Sequence, residues 1–281
     1  PRLIGRIPSG LRGTLFRNGP GLFERKGYRK RNLLDGDGMI QAFDIGDSGP
    51  RYRNRFVRTE KFLEEEAAQE YRYATWTTRA PGGFLSNLGG GSMKSQAGVT
   101  VLVRNGELLA LDELERPYRL DCDSLRTLGM EEFPDGVKVP GLKAHTKTDP
   151  ETGNWTMIAT EMGPSMTLHI LSRAADGRIL SHVKIPSPRA TYLHDFFETP
   201  RHLLVSLHAV AFSPVDFLSG LHSFTDSLSW EPDLGNLLML VDKQDPENPR
   251  LIEAPASYMW HSVNAYEAGS EIITDFIGYA D

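Results

Sequence analysis

The sequence predicts an all-β fold built from repeated strand units, a β-propeller in preference to a sandwich. Three observations carry this reading. Short β-rich runs recur at roughly ten-residue spacing with Gly, Pro and Asn turn chemistry between them. Only one stretch, Glu60–Tyr73, has a strongly helical composition. One unit also recurs three times: a His, then a turn signal, then a β-rich run. The units begin at His145, His194 and His261. Their turn signals are Asp149-Pro150 with Gly153, Thr199-Pro200, and Gly269-Ser270. Their runs are Trp155–Thr160, Leu203–Leu207 and Glu271–Phe276, beginning ten, nine and ten residues after the His. Radial repeats would bring these three side chains toward one axis.

Taken in order, Leu11–Arg17 reads as an entering strand, broken by Asn18-Gly19-Pro20-Gly21. Leu33-Leu34 then leads through a turn at Gly36 and Gly38 into the alternating run Met39–Ile45. Glycine there is expected to supply positive φ. Glu60–Tyr73 is the helix, and its acidic face reads as solvated. Ala80–Ser95 is Gly-rich and reads as loop. It lacks the strand–loop–helix setting and signature of a phosphate loop, so nucleotide binding is rejected there. Val99–Arg104 and Glu107–Leu111 form a hairpin about Asn105-Gly106, a type I′ signal. Thr167–Ser172 and Arg178–Ile185 form another about Ala175-Asp176-Gly177, and Leu237–Asp242 is one more apolar strand. No Pro- or Ser-rich linker divides the chain, so residues 1–281 read as one domain.

Composition narrows the function. The 281 residues carry a net charge of −6, which argues against nucleic acid as a partner. A single cysteine, Cys122, forbids an intrachain disulfide and fits a reducing, cytoplasmic compartment. It reads as a thiol without a role. No apolar run reaches the roughly 18–20 residues of a membrane span. The chain opens on PRLIGRIPSG and closes on EIITDFIGYAD. Both ends read as cut, so the expectation is a piece of a longer protein.

Neutral imidazole ligates iron, zinc and copper. His145, His194 and His261 share one setting, which makes them the candidate metal ligands. The other five histidines (His169, His182, His202, His208, His222) lack that setting. None of the three belongs to an HExxH or C-x-x-C motif, so common zinc signatures are absent. Ligands drawn from distant strands make a rigid site.

Further motifs bear on the same point. They are GTLFRNGPG (Gly13–Gly21), LLDGDGMI (Leu33–Ile40), LLALDE (Leu108–Glu113), AHTKTDPETG (Ala144–Gly153), LHDF (Leu193–Phe196) and WHSVNAYE (Trp260–Glu267). Together and in this order they resemble the carotenoid cleavage oxygenases, a group that includes lignostilbene dioxygenases and the retinal pigment epithelium isomerase. The resemblance runs over nearly the whole chain. It implies a seven-bladed β-propeller of the carotenoid oxygenase type, incomplete here because the C-terminal part is missing. It also implies an Fe(II) held on the propeller axis by four His. His145, His194 and His261 fall on the first three, and the fourth lies beyond the end of this chain.

The family orients its metal-bound His with glutamates, and Glu113 falls on one such position. In the lignostilbene branch a Lys precedes this Glu and helps bind the substrate phenol; Asp112 stands there instead. The implied reaction is cleavage of one C=C bond of a carotenoid or apocarotenoid by O₂, giving two carbonyl products. Alternatives are the stilbenoid-cleaving or isomerase branches, or a non-catalytic propeller that acts as a binding module. Tyr192, Phe196 and Trp260 are candidate lining residues of a polyene tunnel, with core packing the favoured role for any one of them. A hydrophobic polyene dissolves in membranes, and Phe212–Phe224 (FSPVDFLSGLHSF) is dense in apolar residues. It is the expected site of a peripheral membrane contact.

Overall fold

The computed structural model describes residues 4–47, 49–162 and 165–279. The chain enters on β1 (Gly13–Leu22), forms a short ribbon from β2 (Glu24–Arg25) and β3 (Tyr28–Arg29), and continues into β4 (Asp37–Gly46) and β5 (Gly49–Phe56). β1, β4 and β5 make a three-stranded antiparallel sheet. The expected break at Asn18-Gly19-Pro20-Gly21 is not a break: β1 runs through it to Leu22. β1 is an edge strand whose register slips between Pro20 and Leu22. Edges and bulges are where a strand tolerates the missing N–H of proline. The positive φ expected at Gly36 and Gly38 is not found: Gly36 has a φ of −75°, and Gly38 is instead required by the close approach of the Ala97 carbonyl.

α1 (Glu60–Ala68) is capped by the Thr59 hydroxyl, which accepts from Phe62 N at 3.1 Å. Its acidic face is only partly solvated. Glu65 is fully buried and, with Asp37, holds the equally buried Lys61 ammonium at 2.8 and 2.7 Å. The Gly-rich stretch that follows contains one short helix, α2 (Phe84–Asn87).

Three further antiparallel sheets and a final hairpin follow. β6 (Thr100–Arg104), β7 (Glu107–Leu111), β8 (Tyr118–Asp121) and β9 (Thr127–Met130) form one. Asn105 and Gly106 join β6 to β7 with φ of 49° and 81°, as a type I′ turn requires. β10 (Lys147–Thr148), β11 (Trp155–Glu161), β12 (Thr167–Arg173) and β13 (Ile179–Pro186) form the next. The third begins with β14 (Phe197–Glu198) and β15 (His202–Leu207). The chain then leaves it through β16 (Val210–Phe212), α3 (Pro214–Leu218) and β17 (Leu228–Trp230), and returns to complete it with β18 (Asn236–Asp242) and β19 (Asp245–Ala254). β20 (Met259–Ala268) and β21 (Glu271–Gly278) pair as the hairpin.

Side-chain alternation explains how the sheets stack. In β7, Leu108 and Ala110 enter the core shared with β4, while Leu109 and Leu111 enter the core shared with β11. In β11, Met157 and Ala159 face that second core and Ile158 faces a third, shared with β15 and β18. The period of two thus feeds two different cores from one strand. A sheet buried on both faces by neighbouring sheets cannot belong to a two-layer sandwich. Full burial of such Leu, Ile and Met side chains stabilises the stack by roughly 1.5–3 kcal/mol each.

Candidate metal centre

The three histidines of the recurring unit come together. His145 precedes β10 by two residues, His194 precedes β14 by three, and His261 is the third residue of β20. Each therefore lies at or just before the first strand of its own sheet. Their ring centroids are 4.5, 4.7 and 5.2 Å apart, with interplanar angles of 62–75°. One ring nitrogen from each lies within 4.8 Å of the others. His145 Nε2 and His194 Nε2 are 3.0 Å apart. Two nitrogens about 2.1 Å from one ion, at near right angles, have an edge of about 3 Å. The other histidines take different partners. His169 bonds Glu161 and His182, His202 bonds Glu267, and His208 bonds the Ser257 carbonyl.

Glu113 follows β7 and is buried, its side chain 2 % exposed. Its Oε1 accepts from His194 Nδ1. Its Oε2 accepts from the Tyr192 hydroxyl at 2.9 Å and from Lys143 Nζ at 3.4 Å. Burial alone would raise this carboxyl, but the Lys143 cation and His194 outweigh it and hold it below the ordinary carboxylate range. An ionised Glu113 only accepts, so His194 carries its proton on Nδ1 and directs the Nε2 lone pair at His145. Burial, reinforced by the neighbouring His194, pulls His145 down to about 4. Burial also lowers His261. Imidazoles at this range are a donor set for a cation, and their geometry fits one ion.

An aromatic run leads away from the cluster. Trp260 lies edge-on to His194 at 4.9 Å and to Tyr192 at 5.8 Å. Tyr192 meets Phe224 at 5.8 Å, and Phe224 meets Phe212 and Phe217 at 5.5 and 6.0 Å. The run ends at a surface where the turn after α2 meets the end of α3, Gly89 N donating to the Leu218 carbonyl. Leu85 (80 % exposed) and Val215 (78 % exposed) stand out there, with Phe84, Leu88, Leu218 and Leu221 also exposed.

The model of the family described as retinal pigment epithelial membrane protein matches residues 1–281. The chain belongs to that family. Among similar curated proteins is the apocarotenoid-15,15'-oxygenase of Synechocystis sp., 31% identical over 98% of this chain and 58% of that protein. The isoeugenol monooxygenase of Pseudomonas nitroreducens is 28% identical over 97% of this chain and 56% of its own length. Among solved structures, a Synechocystis apocarotenoid oxygenase variant superposes with a TM-score of 0.91 at 29% identity, covering 98% of this chain and 59% of that one. A cobalt-substituted form of the Synechocystis enzyme gives a TM-score of 0.89 at 30% identity, with 97% and 59% covered. The chain spans somewhat under three fifths of the length of these relatives. Its fold is the carotenoid oxygenase propeller over that span, as the stacked sheets imply.

The structure also corrects some sequence readings of this site. Phe196, weighed between tunnel lining and core packing, takes the core role and is fully buried between β11 and β15. Phe217, within the expected membrane segment, turns inward onto Gly90 and Phe224. The exposed apolar surface instead recruits α2, from the stretch that reads as loop. Asp112 accepts from Ser95 Oγ, Gln96 N and Leu114 N at 2.8–2.9 Å, so its carboxylate is committed to the backbone. Lys143, Lys147, Asp195 and Ser262 are not singled out by the sequence reading, although each stands within two residues of His145, His194 or His261, and all sit beside the three histidines or Glu113. Among the described residues no helix is long and apolar enough to cross a membrane.

Proposed function

We propose that this protein is a non-haem Fe(II) oxygenase that uses O₂ to cleave one C=C bond of a carotenoid or apocarotenoid into two carbonyl products. The observation that carries it is the convergence of three imidazoles at the inner end of an aromatic run that opens on an apolar surface. His145, His194 and His261 would hold the iron. Bound iron supplies the binding and activation of O₂. Glu113 keeps the His194 tautomer and ring orientation fixed through Nδ1. Trp260, Tyr192 and Phe224 exclude water and offer faces and edges to an extended apolar chain. The double bond is broken and each of its carbons receives one oxygen atom, so the two atoms of O₂ are accounted for in the products.

Asp112 favours a polyene over a phenolic substrate, because its carboxylate is taken up by backbone donors and presents no cation to a phenol. The apolar surface of α2 and α3 would rest on the membrane as a peripheral contact and admit lipid-dissolved substrate. With a net charge of −6, attachment would be mainly hydrophobic. The test is product analysis on the full natural chain loaded with iron. Aldehyde products should appear from an apocarotenoid only with O₂ present, and disappear after chelation. An iron-loaded enzyme that leaves carotenoids and apocarotenoids intact contradicts the proposal.

A further inference from the structure

The three histidines lie at or just before the first strands of three different sheets, and no shared ladder of backbone hydrogen bonds joins those sheets among the described residues. One compact polar cluster does join them. Lys147 Nζ donates to Asp195 Oδ1 at 2.7 Å and to Ser262 Oγ at 2.8 Å. Ser262 N and Ser262 Oγ each donate to Asp195 Oδ2 at 2.8 Å. Phe196 N donates to Asp195 Oδ1 at 2.8 Å. Both carboxylate oxygens therefore have two donors, and the Asp195 side chain is only 2 % exposed. Lys147 follows His145 by two residues, Asp195 directly follows His194, and Ser262 directly follows His261. Consecutive Cα atoms are about 3.8 Å apart, so each clamp residue is tied through the chain to its histidine within one or two such steps.

The backbone around His261 bears the mark of this cluster. The pairing of β20 with β21 loses register on both sides of Ser262. The Ser262 N–H is held there by the Asp195 carboxylate. Glu113 reaches only one of the three histidines, whereas this cluster ties together residues one or two positions after all three.

We propose that Lys147, Asp195 and Ser262 form a clamp that sets the mutual spacing of the three histidines, and with it the affinity and coordination geometry of the metal between them. This rests on the reading of those histidines as metal ligands. The clamp residues are positioning residues: the two oxygens of Asp195 are already saturated, so it acts through the chain and not as a ligand.

The test uses Co(II) as probe in the full natural chain, because its visible absorption reports coordination geometry independently of turnover. Asp195→Asn removes the charge that gathers four donors. It should weaken Co(II) retention ten- to hundredfold, the usual cost of losing a partner behind a ligand, and shift the visible bands. Ser262→Ala should shift them in the same direction by less, and Ser262→Thr should restore the wild-type spectrum. Arg173→Met breaks a buried pair of the same sheet system, Arg173 with Glu131 at 2.7 Å, and serves as the stability control. It should lower Tm and leave the spectrum and affinity unchanged. If Asp195→Asn fails to fold, the contrast between the two Ser262 variants decides. Unchanged spectra and affinity in the folded clamp variants, or an equal shift in Arg173→Met, would overturn the clamp alone. A wild-type protein that binds no Co(II) would overturn the ligand reading beneath it.

Discussion

Replacing Glu113 by Gln separates two roles that meet in one carboxylate. Glu113 fixes His194 through Oε1 and neutralises buried Lys143 through Oε2. A glutamine there would keep the shape, lose the charge and turn an amide N–H₂ toward at least one of the present donors. The lost anchor of a ligating His should cost ten- to hundredfold in iron affinity, which is about 1.4–2.7 kcal/mol. The orphaned Lys143 ammonium should cost about 3 kcal/mol of stability, as breaking a buried ion pair from one side does. Half-buried Glu107, paired with partly solvated Arg119 at 2.6 Å, provides the contrast: Glu107→Gln should cost under about 1 kcal/mol. The double variant Glu113→Gln with Lys143→Met should regain most of the stability and none of the affinity. Thermal melts of the apo proteins and iron content after dialysis against a graded chelator measure the two effects. Equal iron retention in Glu113→Gln and wild type would refute the role of the carboxylate. A double variant as unstable as the single would refute the accounting for Lys143.

Three further outcomes follow from other parts of the fold. Burial holds Lys30 down to about 8 from an ordinary 10.5. The unfolded chain therefore binds the extra proton between those values, and stability from this group rises with pH across that window, by about 3 kcal/mol. Lys30→Met should be more stable than wild type at pH 7, with the advantage vanishing by pH 10.5; denaturant melts at both pH values check it, and a constant difference contradicts it. A Cβ on Gly141 would meet the Leu114 carbonyl oxygen at 2.4 Å and that of Glu113 at 2.6 Å. Gly141→Ala should thus displace the Glu113 backbone, costing about 1–3 kcal/mol and lowering metal retention; unchanged Tm and metal content would show that the backbone yields freely. Replacing Leu85 and Leu218 together by Ser removes two exposed apolar side chains. Binding to liposomes should fall at least about tenfold with Tm unchanged and little salt dependence; unaltered binding would place the contact elsewhere.

The strands and the three histidines are legible in the sequence because both signals are local. Asn105-Gly106 names its own turn, and the His, turn and strand sequence repeats within about ten residues. The resemblance that named Glu113 likewise rests on short motifs. What could not be read lies in contacts between distant residues. Lys147 meets Asp195 and Ser262 across 48 and 115 residues, and Lys143 meets Glu113 across 30. No periodicity or spacing encodes such meetings; stacking the sheets creates them. The errors have the same origin. Lys61 and Glu65 stand four apart on one helix, but it is the packing that brings Asp37, 24 residues away, onto Lys61 that buries the pair. Pro20 reads as a strand breaker because sequence does not mark which strand lies at an edge. Phe217 reads like its exposed neighbours, and only the room left by Gly90 lets its ring turn inward.

The central claim is that His145, His194 and His261, and not the other histidines, hold a functional iron. The most direct measurement is the metal content of the full natural chain after anaerobic loading with Fe(II) and removal of excess. Wild type should retain one iron per chain. His145→Ala, His194→Ala and His261→Ala should each lose most of it. His169→Ala and His202→Ala, whose imidazoles hold Glu161 and Glu267, should keep it nearly intact. Comparable loss in all five variants, or full retention in any of the first three, would contradict the account.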